Sequence, residues 1–244
     1  MKLTQDDKVR YGRQMLMPGW GAEAQKRLKT ARVFVAGAGG LGSPVSIYLA
    51  VAGIGQLVIC DADRVELSNL NRQILHPDAR VGHLKALSAG ETLGSLNPDI
   101  EVVPQAEYLD KDSVERLVGR PDAVVDCLDN FETRYLLNRY CLDHGIPFVH
   151  GAVSGMVGQL TFISAPETPC LRCIFPHAPP KELFPVLGAT PGIVGSMQAM
   201  EVLKYLTGVG ETLKGTLLIF EGDEMLFTPI RANRAPSCPD CGHL

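Results

Sequence analysis

The chain has 244 residues, 45% hydrophobic and 20% charged, which is enough for a sizeable buried core and excludes a disordered or fibrous polymer. Its 27 acidic and 23 basic residues leave a net charge of −4 without any run of Lys or Arg, which argues against a nucleic-acid partner. No uninterrupted stretch of about 18 apolar residues occurs, and Met1-Lys2-Leu3-Thr4-Gln5-Asp6-Asp7 turns acidic where a secretory signal needs an apolar run, so a soluble cytoplasmic protein is expected.

Residues 1–30 read as a helical arm, with Arg13 on one face of an amphipathic helix. Residues 31–36 form a short β-branched and aromatic run that stops at Gly37, as a buried parallel strand does, and a helix is predicted over 43–52. Further strands are predicted over 56–60, 100–105, 123–127 and 147–152 with helical stretches between them, and this alternation predicts a doubly wound parallel sheet across 31–152. After Gly151 the pattern changes to a strand over 159–163 and a proline- and glycine-rich surface loop over 176–192. A buried helix over 193–206 and a hairpin of 216–220 with 225–228 around Gly222-Asp223 complete the chain. There are no internal repeats, and 153–244 reads as an appended part of one domain.

Gly37-Ala38-Gly39-Gly40-Leu41-Gly42 has the spacing Gly-x-Gly-x-x-Gly between a predicted strand and a predicted helix. Glycine permits the tight turn and close approach of phosphate oxygens, while the helix N-terminus offers free N–H groups and partial positive charge. Asp61 follows 19 residues after Gly42 at the end of the second strand, where a carboxylate accepts from ribose hydroxyls. These features imply a nucleotide and leave NAD, FAD and ATP open.

The following residues separate them. A helical turn over 68–73 places Asn69, Arg72 and Gln73 on one face. Lys85 adds a second cation, Asp63 lies beside Asp61, and Asp129 with Asn130 follows the fourth strand at the sheet's carboxyl edge. A dehydrogenase has no need of this set, whereas the roughly four negative charges of a nucleoside triphosphate call for Arg and Lys, and Mg²⁺ calls for a carboxylate. Cys170-Leu171-Arg172-Cys173 and Cys238-Pro239-Asp240-Cys241 supply four thiolates as two knuckles, which suits a closed tetrahedral Zn²⁺ site of structural purpose.

Together with Tyr11-Gly12-Arg13-Gln14, these motifs resemble the MoeB/ThiF/HesA family of adenylyltransferases, bacterial relatives of ubiquitin-activating enzymes, over nearly the whole chain. The resemblance implies an α/β fold with a Rossmann-like, mainly parallel sheet extended by antiparallel strands and a zinc-anchored C-terminal part. It also implies a homodimer that transfers AMP from Mg·ATP to the C-terminal glycine carboxylate of a small ubiquitin-like sulfur carrier. In family terms Asp61 holds the ribose, Asn69, Arg72, Gln73 and Lys85 the phosphates and Asp129 the Mg²⁺, while Arg13 matches an arginine inserted from the neighbouring subunit. Many relatives carry a cysteine in the loop crossing the active site. Here no cysteine lies between Cys173 and Cys238, the stretch 184–192 reads as shortened, and Cys60, Cys127 and Cys141 fall in strands or a helix, so an enzyme-bound thioester is not expected. Only Gly242-His243-Leu244 follow the last cysteine pair, so sulfur is expected from a separate donor. The alternatives are a carboxylate on modified tRNA, an NAD- or FAD-dependent oxidoreductase, and a silent carrier-binding scaffold. His76, His83 and His150 receive no role.

Overall fold

The computed structural model describes residues 2–179 and 185–244. Its sheet is built from strands β1 (Arg32–Ala36), β2 (Gln56–Cys60), β3 (Glu101–Gln105), β4 (Ala123–Asp126), β5 (Phe148–Ser154), β6 (Val157–Ile163), β7 (Thr216–Glu221) and β8 (Leu226–Arg231). Their order is β3-β2-β1-β4-β5-β6-β7-β8. The pairs from β3 to β5 are parallel and those from β5 to β8 antiparallel, the arrangement that the family resemblance implies.

Period-two alternation gives the sheet two buried faces. Val33, Val35, Leu57, Ile59, Val125 and Val149 point toward α3 (Gly21–Thr30), α4 (Gly42–Ala52), α5 (Lys85–Leu96) and α9 (Ala189–Thr207). Phe34, Val58, Val124 and Phe148 point toward α6 (Val114–Val118), α7 (Phe131–His144) and α8 (Leu171–Ile174). Each face is a near-complete hydrocarbon layer, and removing a large member such as Phe34 or Leu49 from it costs about 2–5 kcal/mol. The register sets Ala36 beside Cys60 and Asp126, so Gly37, Asp61 and Cys127 leave the sheet side by side at its carboxyl edge.

Three expectations need correction. The N-terminal arm is not one amphipathic helix: α1 (Gln5–Arg10), begun by a Thr4–Asp7 capping box, α2 (Gly12–Met15) and α3 follow separately, with buried Tyr11 at the first break. The helix expected from residue 193 starts at Ala189, because Pro191 and Gly192 fall in its first turn, where proline removes no intrahelical bond. The surface loop expected over 176–192 is thereby shorter. Residues 180–184 lie outside the described residues, and Val186 bridges to Gly155, with the Gly155 amide donating to Pro185 O at 2.6 Å and the Leu187 amide to Gly155 O at 3.2 Å. The last strand also continues through Pro229 to Arg231, since an edge strand loses no ladder bond to proline there.

Candidate nucleotide-binding site

The glycine loop opens directly from β1 into α4. Gly37 has φ +98°, and a Cβ there would meet Cys127 O at 2.7 Å, so both conformation and space demand glycine. A Cβ on Gly42 would collide with Gly37 O, which closes the turn onto the helix. Gly39 and Gly40 differ: a Cβ would make only ordinary contacts, with Gln73 Nε2 at 3.5 Å and with Pro191 at 3.4 Å. The protein's own packing therefore leaves these two free to vary, and the amides of Gly39, Gly40 and Leu41 donate to no acceptor among the described residues. That is the arrangement of an anion cradle at a helix N-terminus.

Around the cradle the predicted residues assemble from three segments. Asp61, at the end of β2, accepts from the Ala38 amide at 2.8 Å through Oδ2 and from the Asp63 amide at 2.9 Å through Oδ1, which fixes its carboxylate against the loop. The expected helical turn is a 3₁₀ turn over Leu67–Asn69 followed by one α-type bond, Gln73 N to Asn69 O at 2.9 Å. This still sets Gln73 and Arg72 over Gly39 and Gly40, with Arg72 Cγ 3.5 Å from the Cβ position of Gly40. Asn69 holds the turn by accepting from the Glu66 amide at 3.1 Å. Arg72 is folded back onto its own turn, donating to Ser68 O and Asn71 Oδ1 at 3.0 Å. Gln73 is buried with Oε1 lacking any partner, an orphan that a ligand donor beside the loop would satisfy. Lys85, at the start of α5 and only 7% exposed, has Nζ 3.1 Å from Asp63 Oδ2.

Asp129 sits in the β4–α7 connection two residues after Cys127, which packs on Gly37 and Gly42. It is exposed and its carboxylate pairs with nothing among the described residues, so a cation could take it. Asn130 is the N-cap of α7, accepting from the Thr133 amide at 2.9 Å, and the structure brings it to the helix rather than to the loop. Arg13 stands apart from the rest. Its neighbour Gln14 donates to Ala52 O at 2.9 Å and Gln25 Oε1 at 2.5 Å, and Tyr11 Oη accepts from Asn97 Nδ2 at 2.9 Å. These bonds fasten the arm to the far end of α4, whose 11 residues put about 16 Å between that end and the glycine loop.

Two histidines without an expected role are structural. His76 joins Ala38 O (2.8 Å) to Ser88 Oγ (3.0 Å), tying the glycine loop to α5, and burial holds its pKa below the usual imidazole range. His150 and its partners Asp126 and Arg134 form a buried cluster under the β4–α7 connection. A carboxylate closing the otherwise apolar run Ala123-Val124-Val125-Asp126 is the one sequence signal that points to it. The free thiols are poor nucleophiles: burial pushes Cys60 up to about 12 and raises Cys127 and Cys141 as well.

The four remaining thiols converge. Cys170, Cys173, Cys238 and Cys241 place their sulfurs within 4.8 Å of one another, with individual separations of 3.8, 3.6 and 3.4 Å. Four thiolates about 2.3 Å from a tetrahedral zinc would stand roughly 3.8 Å apart, so the set fits that ion. Asn138 supports both knuckles, accepting from the Leu171 amide at 2.9 Å and donating to Asp240 at 3.0 Å, and Arg234 donates to Cys241 O at 2.6 Å.

The chain is similar to known proteins in sequence and in fold. The model of the ThiF family matches residues 11–240. The SAMP-activating enzyme E1 of Haloferax volcanii is 47% identical over 239 residues, covering 96% of this chain and 88% of that protein. The adenylyltransferase and sulfurtransferase MOCS3 of Drosophila sechellia is 43% identical over 247 residues, and this chain, 98% covered, spans 54% of its length. The crystal structure of E. coli MccB with ATP superimposes with a TM-score of 0.83 at 25% identity, covering 96% of this chain and 73% of that one. Among the described residues no helix is long and apolar enough to cross a membrane.

Proposed function

This chain belongs to the ThiF family, and from that membership and the site's geometry we propose that it adenylates the C-terminal glycine carboxylate of a small ubiquitin-like sulfur-carrier protein, releasing pyrophosphate from ATP. One observation carries the reading: the Arg72–Gln73 turn packs directly over Gly39 and Gly40, the two loop glycines whose side-chain space the protein itself leaves unused. A cation and an amide aimed at a phosphate cradle serve a triphosphate, and a hydride-transferring enzyme would leave them idle.

In this reading the loop amides and the N-terminus of α4 hold phosphate oxygens, Asp61 receives the ribose hydroxyls, and Gln73, Arg72 and Lys85 face the phosphate chain. Attack of a carboxylate on the α-phosphorus brings two anions together and builds charge on the departing pyrophosphate. Arg72 and Lys85 offset both as fixed positive charges, without reorganisation during the reaction. Asp129 would hold Mg²⁺, which when bound neutralises phosphate charge and orients the leaving group. No nucleophilic side chain is required, in keeping with thiols that burial holds protonated, so the enzyme's own chemistry ends at the acyl-adenylate and sulfur comes from a separate donor. Because the arm is fastened to the far end of α4, Arg13 serves the site of a second copy, which supports a homodimer. The four cysteines hold zinc as a structural clasp.

The test is carrier-dependent exchange of labelled pyrophosphate into ATP. Exchange with a cognate-type carrier, abolished by Arg72→Ala or Asp129→Ala, is expected; absence of exchange with every sulfur carrier tried would overturn the reading.

A further inference from the structure

Asp126 closes β4 with a carboxylate that is 0% exposed, three residues before Asp129. Its Oδ1 accepts from the Leu128 amide at 3.1 Å. Its Oδ2 accepts from His150 Nδ1 at 2.6 Å and lies 3.3 Å from Arg134 Nε, an ion pair whose N–H is not aimed for a hydrogen bond. Burial opposes ionisation of Asp126, but Arg134 and His150 outweigh it and hold the carboxyl below its usual range, while burial keeps His150 neutral at pH 7. The cluster is thus one carboxylate, one guanidinium and a neutral imidazole.

The Arg134 fork does more than balance charge. Nη2 donates to the carbonyls of Leu128 and Gly151, the latter at 3.1 Å. Leu128 is consequently gripped at both ends of its peptide, its N–H by Asp126 and its C=O by Arg134. On the other side of Asp129, Asn130 is pinned as the N-cap of α7. Gln198 of α9 extends the framework, donating to Asp126 O at 2.8 Å and Val149 O at 3.2 Å. Between two fixed residues stands Asp129, whose carboxylate meets nothing among the described residues. Two buried charges are a costly way to fill space, since apolar residues of equal volume are often neutral or better for stability. The carbonyls that Arg134 holds lie beside Asp129 and on the adjoining strand β5, while His150 Nε2 meets Gln159 Nε2 of β6 at 3.4 Å.

We propose that Arg134, oriented by Asp126 and His150, is a positioning residue for Asp129, fixing the backbone on both sides of that carboxylate so that it meets the metal ion of a bound nucleoside triphosphate. The proposal rests on the adenylation reading and deepens it. Residues that support metal ligands from behind typically contribute 10–100-fold to metal affinity, which sets the expected effect.

The experiment measures binding of a non-hydrolysable ATP analogue by calorimetry, in EDTA and in Mg²⁺, for the full chain and for Arg134→Lys, Asp129→Asn and the double variant. Lysine keeps the charge beside Asp126 and loses the fork. Arg134→Lys is expected to bind the analogue in EDTA within about twofold of the parent, and to lose about tenfold of the Mg²⁺-dependent gain in affinity. Asp129→Asn is expected to lose at least as much, and the double variant no more than Asp129→Asn alone, since both act on one contact. If Asp129→Asn loses the Mg²⁺ gain and Arg134→Lys keeps it, or if the two losses add in full, the positioning role is overturned while the adenylation site stands. If Asp129→Asn binds Mg²⁺·analogue as the parent does, the metal role of Asp129 falls and the role of Arg134 with it. Should Arg134→Lys not fold, Arg134→Gln combined with Asp126→Asn removes both buried charges together and is read in the same titrations.

Discussion

Gly195 lies in the middle of α9, where that helix crosses the first turn of α4. A Cβ there would stand 2.5 Å from Pro44 Cγ and 2.7 Å from Leu41 O, and neither a proline ring nor a backbone carbonyl can rotate away. Relieving Gly195→Ala to ordinary contact requires α4 and α9 to separate by about 1 Å, and such overpacking costs about 1–3 kcal/mol. Alanine in place of glycine within a helix returns about 0.8–1 kcal/mol, so the net loss is about 0–2 kcal/mol. In a chain of this size that corresponds to a fall in Tm of about 2–4 °C per kcal/mol. The functional effect is larger, because the displaced turn is the one that carries the proposed phosphate cradle, and a misplacement of about 1 Å can cost about 100-fold in catalytic rate. Gly192→Ala is the control: it sits one turn earlier on the same helix, and its Cβ would meet nothing within 4 Å. Thermal melting and calorimetric binding of an ATP analogue should therefore separate the two, with Gly192→Ala as stable as the parent or slightly more so. If Gly195→Ala melts with Gly192→Ala and binds the analogue at parental affinity, the α4–α9 contact does not set the position of the glycine loop.

Gly39→Ala should melt like the parent yet lose affinity for the ATP analogue, whereas Gly42→Ala should destabilise the fold itself, since its Cβ runs into Gly37 O; equal losses of stability would contradict the division made among the loop glycines. Elemental analysis of chain purified without chelator should find one zinc per chain, and Cys238→Ser should lower both zinc content and Tm; full-length chain containing no zinc refutes the clasp. His76 and His150 are held below the ordinary imidazole range by burial, so the folded state binds fewer protons than the unfolded one, and their contribution is present above the unfolded pKa and lost as pH falls. Tm should thus be level near neutral pH and decline below about 6.5; a Tm rising from pH 7 to pH 5 would refute the assignment.

How much of this was legible from residues alone depended on how local the cause is. The strand–glycine loop–helix unit and the acid at the end of β2 are written in consecutive residues, and the observed β2, Gln56–Cys60, has the expected bounds. Asn130 could have been read as a cap, since Asn directly before a helix accepts from its first amides. The start of α9 was obscured because proline and glycine read as breakers, although a first turn tolerates both. Of the cluster of Asp126, Arg134 and His150 only the carboxylate closing an apolar run was legible, because its members join through sheet register: Asp126 meets His150 only when β4 and β5 pair, 24 residues apart.

The four-cysteine cluster has a consequence for the chain before it folds. Its two knuckles are separated by 68 positions, from Cys170 to Cys238, and the segment between them contains α9 and the β7–β8 hairpin, which end the sheet at its open edge. A metal joining the knuckles turns that segment into a ring, and by the chain-entropy relation for cross-links a ring of this length removes about 4 kcal/mol of freedom from the unfolded state. The last two strands would then search for β6 as a tethered loop rather than as a free tail, and an exposed strand edge would be kept from pairing with other chains while it does so.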